Sequence, residues 1–278
     1  MDPRPIGIFD SGVGGLSILR EIDRLLPAEH LIYFADQAHL PYGQHSLKEI
    51  RRYSHGITAY LLEQGCKLIV VACNSASAAA LHELRTAFPN VSFVGMEPAV
   101  KPAVQATRSG VIGVLATPVT FQGELFASVV ARFAADVHVL QESPLGLVGQ
   151  IEKGELSSAE TLRILRKSVQ PFLDHKADTI VLGCTHYPFI IPQLRQITGD
   201  GVTIIDPSPA ISRQVRRLLS DRKMTAGEGV PGMRTFFTSA DPLALERQVE
   251  TLLGWKAAVL PVYWAGTLLT QAESSETP

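Results

Sequence analysis

Only three cysteines, Cys66, Cys73 and Cys184, occur in the 278 residues. That is too few and too scattered for a disulfide framework and fits a reducing cytoplasm. No apolar run approaches the roughly 20 residues needed to span a bilayer, so a membrane partner is not expected. The N-terminal Met1-Asp-Pro-Arg-Pro5 leads directly into an apolar run, with no signal-peptide pattern. The net charge of −2, without a basic run carrying interleaved aromatics, argues against electrostatically driven nucleic-acid binding. There is no C-x-x-C or H-x-x-x-H pair and no P-loop Lys-Ser/Thr, which disfavours structural zinc and nucleotide chemistry. Hydrophobic residues at 46% and charged residues at 19% describe an ordinary globular chain, so composition narrows the class no further.

Short apolar runs do occur, alternating with helical patterns, as in βα units on parallel sheets. The runs place strands at 5–9, 31–35, 67–72, 91–95, 111–116, 137–141, 178–183 and 202–205, with a further one near 257–262. Leu16, Leu19, Ile22 and Leu26 recur at helical spacing, as nearly do Leu47, Ile50, Ile57 and Leu61. Pro27 and Gly65 mark the ends of those two helices.

Two of the runs end in a thiol. Lys67-Leu-Ile-Val-Val-Ala-Cys73-Asn74-Ser75 and Asp178-Thr-Ile-Val-Leu-Gly-Cys184-Thr185-His186 share one plan: a polar residue, a buried strand, a cysteine, then small hydrogen-bonding side chains. Ligand sites in parallel α/β sheets form at the carboxyl ends of strands, where a thiol serves as nucleophile or carbon-acid base. A lone cysteine is more simply a small buried hydrophobe, and Cys66, without such polar neighbours, reads that way. The matched pair suggests a site with a thiol on each side of one atom. Ile6-Gly-Ile-Phe-Asp10-Ser11 also resembles Ile112-Gly-Val-Leu-Ala116-Thr117, at nearly the offset that separates the cysteines. Two homologous halves facing each other follow, with the chain crossing near Glu97-Pro98 and returning after Asp206-Pro207.

Each remaining candidate has a plain reading beside a functional one. Asp10-Ser11-Gly-Val-Gly-Gly15 is a tight turn with an N-cap, or a turn whose Ser11 and amides hold a carboxylate while Asp10 handles a proton. Asn74, Ser75, Thr185 and His186 are helix caps or ligand contacts, two roles that are compatible. His186, two residues from Cys184, would favour its thiolate. Pro41-Tyr42-Gly43 is a turn, and Glu152 a solvated helix-end residue. Cys184 with His186 also suits a cysteine hydrolase, and the same cleft could belong to a binding module without turnover.

Taken together, Asp10-Ser-Gly-Val-Gly-Gly15, Pro41-Tyr-Gly43, Ala72-Cys-Asn-Ser75 and Gly183-Cys-Thr-His-Tyr-Pro188 closely resemble the glutamate racemases of the aspartate/glutamate racemase superfamily, over about residues 5–215. The resemblance implies two pseudo-symmetric parallel-sheet α/β domains with D- or L-glutamate in the cleft between them. The repeat puts their bounds at 1–97 plus 207–265 and 98–206, and the polar C-terminus, 266–278, reads as a flexible tail. It implies Cys73 and Cys184 as acid/base thiols, with Asp10, His186 and Glu152 assisting. Asp10, Ser11, Tyr42, Gly43, Asn74, Ser75, Thr117, Thr185 and His186 would line the substrate, without metal or cofactor. The family usually has Thr at the position of Ser75, and many members carry Cys-Pro where this chain has Ser143-Pro144. The chemistry implied is cytoplasmic supply of D-glutamate for peptidoglycan. A homodimer is compatible with it, and some members also inhibit DNA gyrase. Aspartate or hydantoin racemisation is the alternative within the superfamily.

Overall fold

The computed structural model describes residues 1–227 and 229–271. Eleven strands form among them: β1 (Ile6–Asp10), β2 (Leu31–Ala35), β3 (Leu68–Val71), β4 (Ser92–Gly95), β5 (Val111–Ala116), β6 (His138–Glu142), β7 (Thr179–Gly183), β8 (Thr203–Ile205), β9 (Arg234–Thr238), β10 (Val259–Ala265) and β11 (Leu268–Gln271). They make two sheets, ordered β11-β10-β9-β2-β1-β3-β4 and β6-β5-β7-β8. Every pairing is parallel except β10 with β11.

The order β2-β1-β3-β4 is repeated as β6-β5-β7-β8, so the internal sequence similarity is a repeat of topology. In both halves the first and third strands lie side by side at the sheet centre. These strands are covered on both faces, which is why they read as unbroken apolar runs. All five residues of β1 and of β7, and all four of β3, are buried. Ile6, Ile8 and Phe9 are each worth about 1.5–3 kcal/mol relative to exposure. One apolar cluster continues from Ile8, Leu19 and Val70 of the first half to Leu115, Phe172 and Leu182 of the second, so the halves share a core.

The helix Leu16–Leu25 buries Leu16, Ile18, Leu19 and Ile22 and packs on the later helix Ser208–Asp221. The helix Leu47–Glu63 opens with a capping box of Ser46 and Glu49. It ends at Gly65, whose φ of +79° is one that side chains disfavour.

Two strands depart from the sequence reading. β9, Arg234-Thr-Phe-Phe-Thr238, inserts between β2 and β10. It carries the β-branched and aromatic residues of a strand, but it is short and follows a Gly- and Pro-containing loop. The flexible tail expected from 266 begins instead with structure. Gly266 and Thr267 form a two-residue hairpin loop, with Gly266 at φ +66°, and β11 pairs back on β10. Leu269 is buried by that pairing. Residues 272–278 of the expected tail lie outside the described residues.

Candidate active site

The loop after β1 is organised by Asp10, which is fully buried. Its Oδ1 accepts from the Ser11 amide at 2.7 Å, and its Oδ2 accepts from the Gly15 amide and from Thr185 Oγ1 at 3.0 Å. Between them in the turn, Val13 N–H donates to Glu152 Oε1 at 2.8 Å. The glycine-rich turn therefore spends three of its amides, those of Ser11, Val13 and Gly15, on two of the chain's own carboxylates. Gly12 and Gly14 are required by proximity. A Cβ on Gly12 would overlap the Glu152 carboxylate, and one on Gly14 would overlap the His186 ring and Thr185 Oγ1. These glycines let the second half press its polar side chains against the first-half loop.

Cys73 follows β3 as the N-cap of the helix Asn74–Ala87. The sequence suggested Asn74 or Ser75 as cap, but the thiol itself accepts from the Ala76 amide at 3.5 Å. Asn74 and Ser75, already inside the first turn, are thereby released. Asn74 Oδ1 is buried without a hydrogen-bond partner. Ser75 Oγ lies 2.9 Å from Thr117 Oγ1, across the cleft at the end of β5. Cys73 Sγ is 3.9 Å from Ser11 Oγ. Burial, and then the negative charge of Asp10, push the Cys73 thiol well above its ordinary range. The amide of Ala76 at the helix N-terminus works the other way, but contributes less than burial and Asp10.

Cys184 follows β7 and meets a different environment. His186 Nδ1 lies 3.6 Å from its sulfur, and His186 Nε2 lies 2.6 Å from Glu152 Oε1. Burial alone would depress the imidazolium. The hydrogen bonds to Cys184 and Glu152 outweigh it, and His186 sits well above its ordinary value. Glu152, a solvated helix-end residue on the plain reading of the sequence, is buried at the end of the helix Leu147–Glu152.

One small cleft is lined by Ser11, Tyr42, Gly43, Cys73, Asn74, Ser75, Thr117, Cys184, Thr185 and His186, closed by Pro41 and Val148. Asp10 sits behind Ser11, and Glu152 behind His186. The two halves touch across this cleft through two similar pairs, Thr185 with Asp10 and Ser75 with Thr117. Cys66 stays outside it, buried, its thiol pushed up to about 12 by burial. Among the described residues, no three His, Cys, Asp or Glu side chains gather as a metal-binding group.

Three supporting residues escaped the sequence reading. Asp36, buried just beyond β2, accepts from Tyr42 OH at 2.6 Å, Ser239 Oγ at 2.7 Å and Trp264 Nε1 at 2.8 Å. It ties the Pro41-Tyr42-Gly43 loop to β9 and β10. Burial, then the Asp36 carboxylate, push the Tyr42 phenol well above its usual value. Gln37 and Gln248 both reach Glu152. Asp36 carries a weak signal, a carboxylate at a strand tip like Asp10. The two glutamines carry none, since 211 positions separate them.

This arrangement has counterparts. A family model described as Asp/Glu/hydantoin racemase matches residues 6–215. A glutamate racemase from Roseiflexus sp. (strain RS-1) is 52% identical over 86% of this chain and 88% of its own. One from Stutzerimonas stutzeri is 48% identical over 92% and 96%. Among solved structures, glutamate racemase RacE1 of Bacillus anthracis superposes with a TM-score of 0.87 at 28% identity, covering 96% of this chain and all of its own. The Escherichia coli glutamate racemase, crystallised with L-glutamate and an activator, gives 0.82 at 33% identity, covering 98% and 100%. On residues 6–215 and on these full-length likenesses, the chain belongs to the Asp/Glu/hydantoin racemase family, in its glutamate racemase branch.

Proposed function

We propose that the protein interconverts L- and D-glutamate with two thiols, one acting on each face of Cα. The observation that carries this reading is the placement of Cys73 and Cys184 after the third strand of each half, both facing one buried cleft. Inversion needs a proton removed on one face and another delivered on the opposite face. One cysteine as thiolate takes the Cα proton; the other, as thiol, gives its own to the carbanion. Charge and atoms balance, and the protonation states of the pair end exchanged. The reverse reaction uses the same groups in the opposite order.

The two thiols are supported differently. Burial and Asp10 favour the neutral thiol at Cys73, which suits it to give a proton. At Cys184 a protonated His186, backed by Glu152, supplies a cation beside the sulfur. Asn74 Oδ1, a buried acceptor lacking a donor, is placed to receive the substrate ammonium. Leaving it empty costs about 1–3 kcal/mol. Ser11, Ser75 and Thr117 offer hydroxyls for the carboxylates, Thr185 lines the cleft while its hydroxyl donates to Asp10, and Tyr42 with Gly43 closes the cleft. The N-terminus of the 14-residue helix after Cys73 adds a favourable field for an anion. Developing charge at the carbanion would be met by these fixed dipoles in a dry site.

The line Cys184–His186–Glu152 also has the shape of a thiol hydrolase triad. That reading leaves Cys73 without a task, and the family likeness favours racemisation. D-glutamate made in the cytoplasm would supply peptidoglycan synthesis. No helix among the described residues is long and apolar enough to cross a membrane. The direct test is optical rotation of pure L-glutamate with enzyme and no added cofactor. Decay to zero rotation supports the proposal. Unchanged rotation with glutamate, alongside decay with aspartate or a hydantoin, would transfer it to the sister activities.

A further inference from the structure

Glu152 belongs to the second half, yet most groups around its carboxylate come from the first. Oε1 faces Val13 N–H at 2.8 Å and His186 Nε2 at 2.6 Å. Oε2 faces the side-chain amides of Gln37 and Gln248, each at 3.3 Å. Gln248 Nε2 also donates to the Glu152 backbone carbonyl at 2.7 Å, so it grips the residue at two points. Gln248 Oε1 accepts from Gln37 Nε2 at 2.8 Å, and Gln37 Oε1 accepts from Thr238 Oγ1 at 3.1 Å. Thr238 Oγ1 in turn accepts from Ala240 N–H at 3.2 Å.

Donor direction in this chain is forced. Thr238 Oγ1 accepts from Ala240 N–H and gives its own proton to Gln37 Oε1, and the two amides fix that direction. Turning the Gln37 amide over would set its oxygen against the Glu152 carboxylate and the Gln248 carbonyl. Turning Gln248 over would set its oxygen against the Glu152 carbonyl. The network therefore runs one way, from β9 through two amides to Glu152, and fills the Oε2 side of the carboxylate. That leaves Oε1 aimed at His186.

We propose that Gln248, with Gln37 behind it, is a positioning residue for this reaction. It holds the Glu152 carboxylate in the rotation that pairs with His186, and so governs His186 beside Cys184. The inference rests on the reading above, in which Glu152 and His186 serve Cys184. Gln248 lies on the helix Pro242–Leu253. One thiol of the second half is thus tuned from the first half, while Cys73 depends on Asp10 within its own half.

The test is a double-mutant cycle. Gln248→Leu keeps the volume and removes every hydrogen bond, and Glu152→Gln removes the group it is said to position. In the otherwise wild-type enzyme, Gln248→Leu should lower kcat about tenfold, the scale of one hydrogen bond to a charged group. KM should stay within about twofold, and the basic limb of the kcat–pH profile should move to lower pH, because His186 loses carboxylate support. In the Glu152→Gln background, the same change should cost less than about twofold. Equal losses in both backgrounds with an unmoved pH profile would mean a packing role and overturn the inference. If Glu152→Gln lowers kcat and Gln248→Leu does not, the inference alone fails. If Glu152→Gln behaves as wild type, the assigned role of Glu152 fails and takes the inference with it. Should Gln248→Leu not fold, as judged by thermal melting, Gln37→Leu carries the same cycle.

Discussion

His186 Nε2 lies 2.6 Å from Glu152 Oε1, both side chains buried, while the other ring nitrogen faces the Cys184 sulfur at 3.6 Å. A buried ion pair is weak evidence for stability, because desolvation consumes most of the attraction. In the proposed reaction its use is the cation it sets beside the Cys184 sulfur. Among the described residues nothing comparable stands beside Cys73, whose neighbours include Ser11 and the carboxylate of Asp10. Two halves with the same strand order thus carry opposite electrostatics around equivalent cysteines. A racemase working through one thiol and one thiolate has use for such an asymmetry.

The raised value of His186 has a consequence for stability. A group whose folded value lies above its unfolded one, about 6.5 for histidine, stabilises the fold fully below the unfolded value. That contribution is lost as pH rises through the raised folded value. Urea unfolding of the wild type should therefore show stability falling on the alkaline side, and His186→Asn should lack this component. Parallel pH profiles for the two proteins would contradict the assignment.

Cys73→Ser and Cys184→Ser should each lose about 10²–10⁴-fold in racemisation, the range of a general acid or base. A serine hydroxyl is far too weak an acid to replace a thiol, while its size keeps the cleft intact. Initial-rate polarimetry with either enantiomer checks this. Near wild-type turnover in one variant would remove that cysteine from the mechanism.

Asp10 and His186 should not be interchangeable. The two enantiomers have equal free energy, so kcat/KM must remain equal in both directions for every variant. Direction-specific effects therefore appear in kcat, in KM and in the isotope effect. Asp10→Asn disturbs the side that carries Cys73, and His186→Asn the side that carries Cys184. Their primary deuterium isotope effects with Cα-deuterated D- and L-glutamate should respond in opposite directions. Indistinguishable profiles would sink the division of labour.

Much of this site was legible in the sequence because central parallel strands are buried on both faces. Leu68–Val71 and Thr179–Gly183 announce themselves as apolar runs, and a cysteine ending each stands out. β9 was less visible because two turn-forming residues precede a short run that opens on Arg234. β11, Leu268-Leu-Thr-Gln271, was hidden by its shortness, with only two apolar residues after the hairpin turn. Glu152 came from family likeness alone, since nothing near it in sequence shows that Val13 and His186 will meet it. Gln37 and Gln248 were beyond reach for a similar reason. Their partners are set by how the two sheets pack, and an amide in a helix or turn looks like any solvated residue.

Solvent deuterium separates the two-thiol reading from its rivals. If Cys73 and Cys184 lie on opposite faces of Cα, the proton removed and the proton delivered belong to different sulfurs. Enzyme turning over L-glutamate in D₂O should then place deuterium at Cα of the D-glutamate formed. Deuterium in the recovered L-glutamate should lag at early times, because a thiol that returns its own proton restores the original label. A single base reaching both faces would instead carry substrate hydrogen into the product. A hydrolase or a passive binder would exchange nothing at Cα. Early-time mass spectrometry of the two enantiomers, separated on a chiral column, reads all of these outcomes. D-glutamate that retains its original Cα hydrogen would refute the two-thiol mechanism, even with both cysteines lining one cleft.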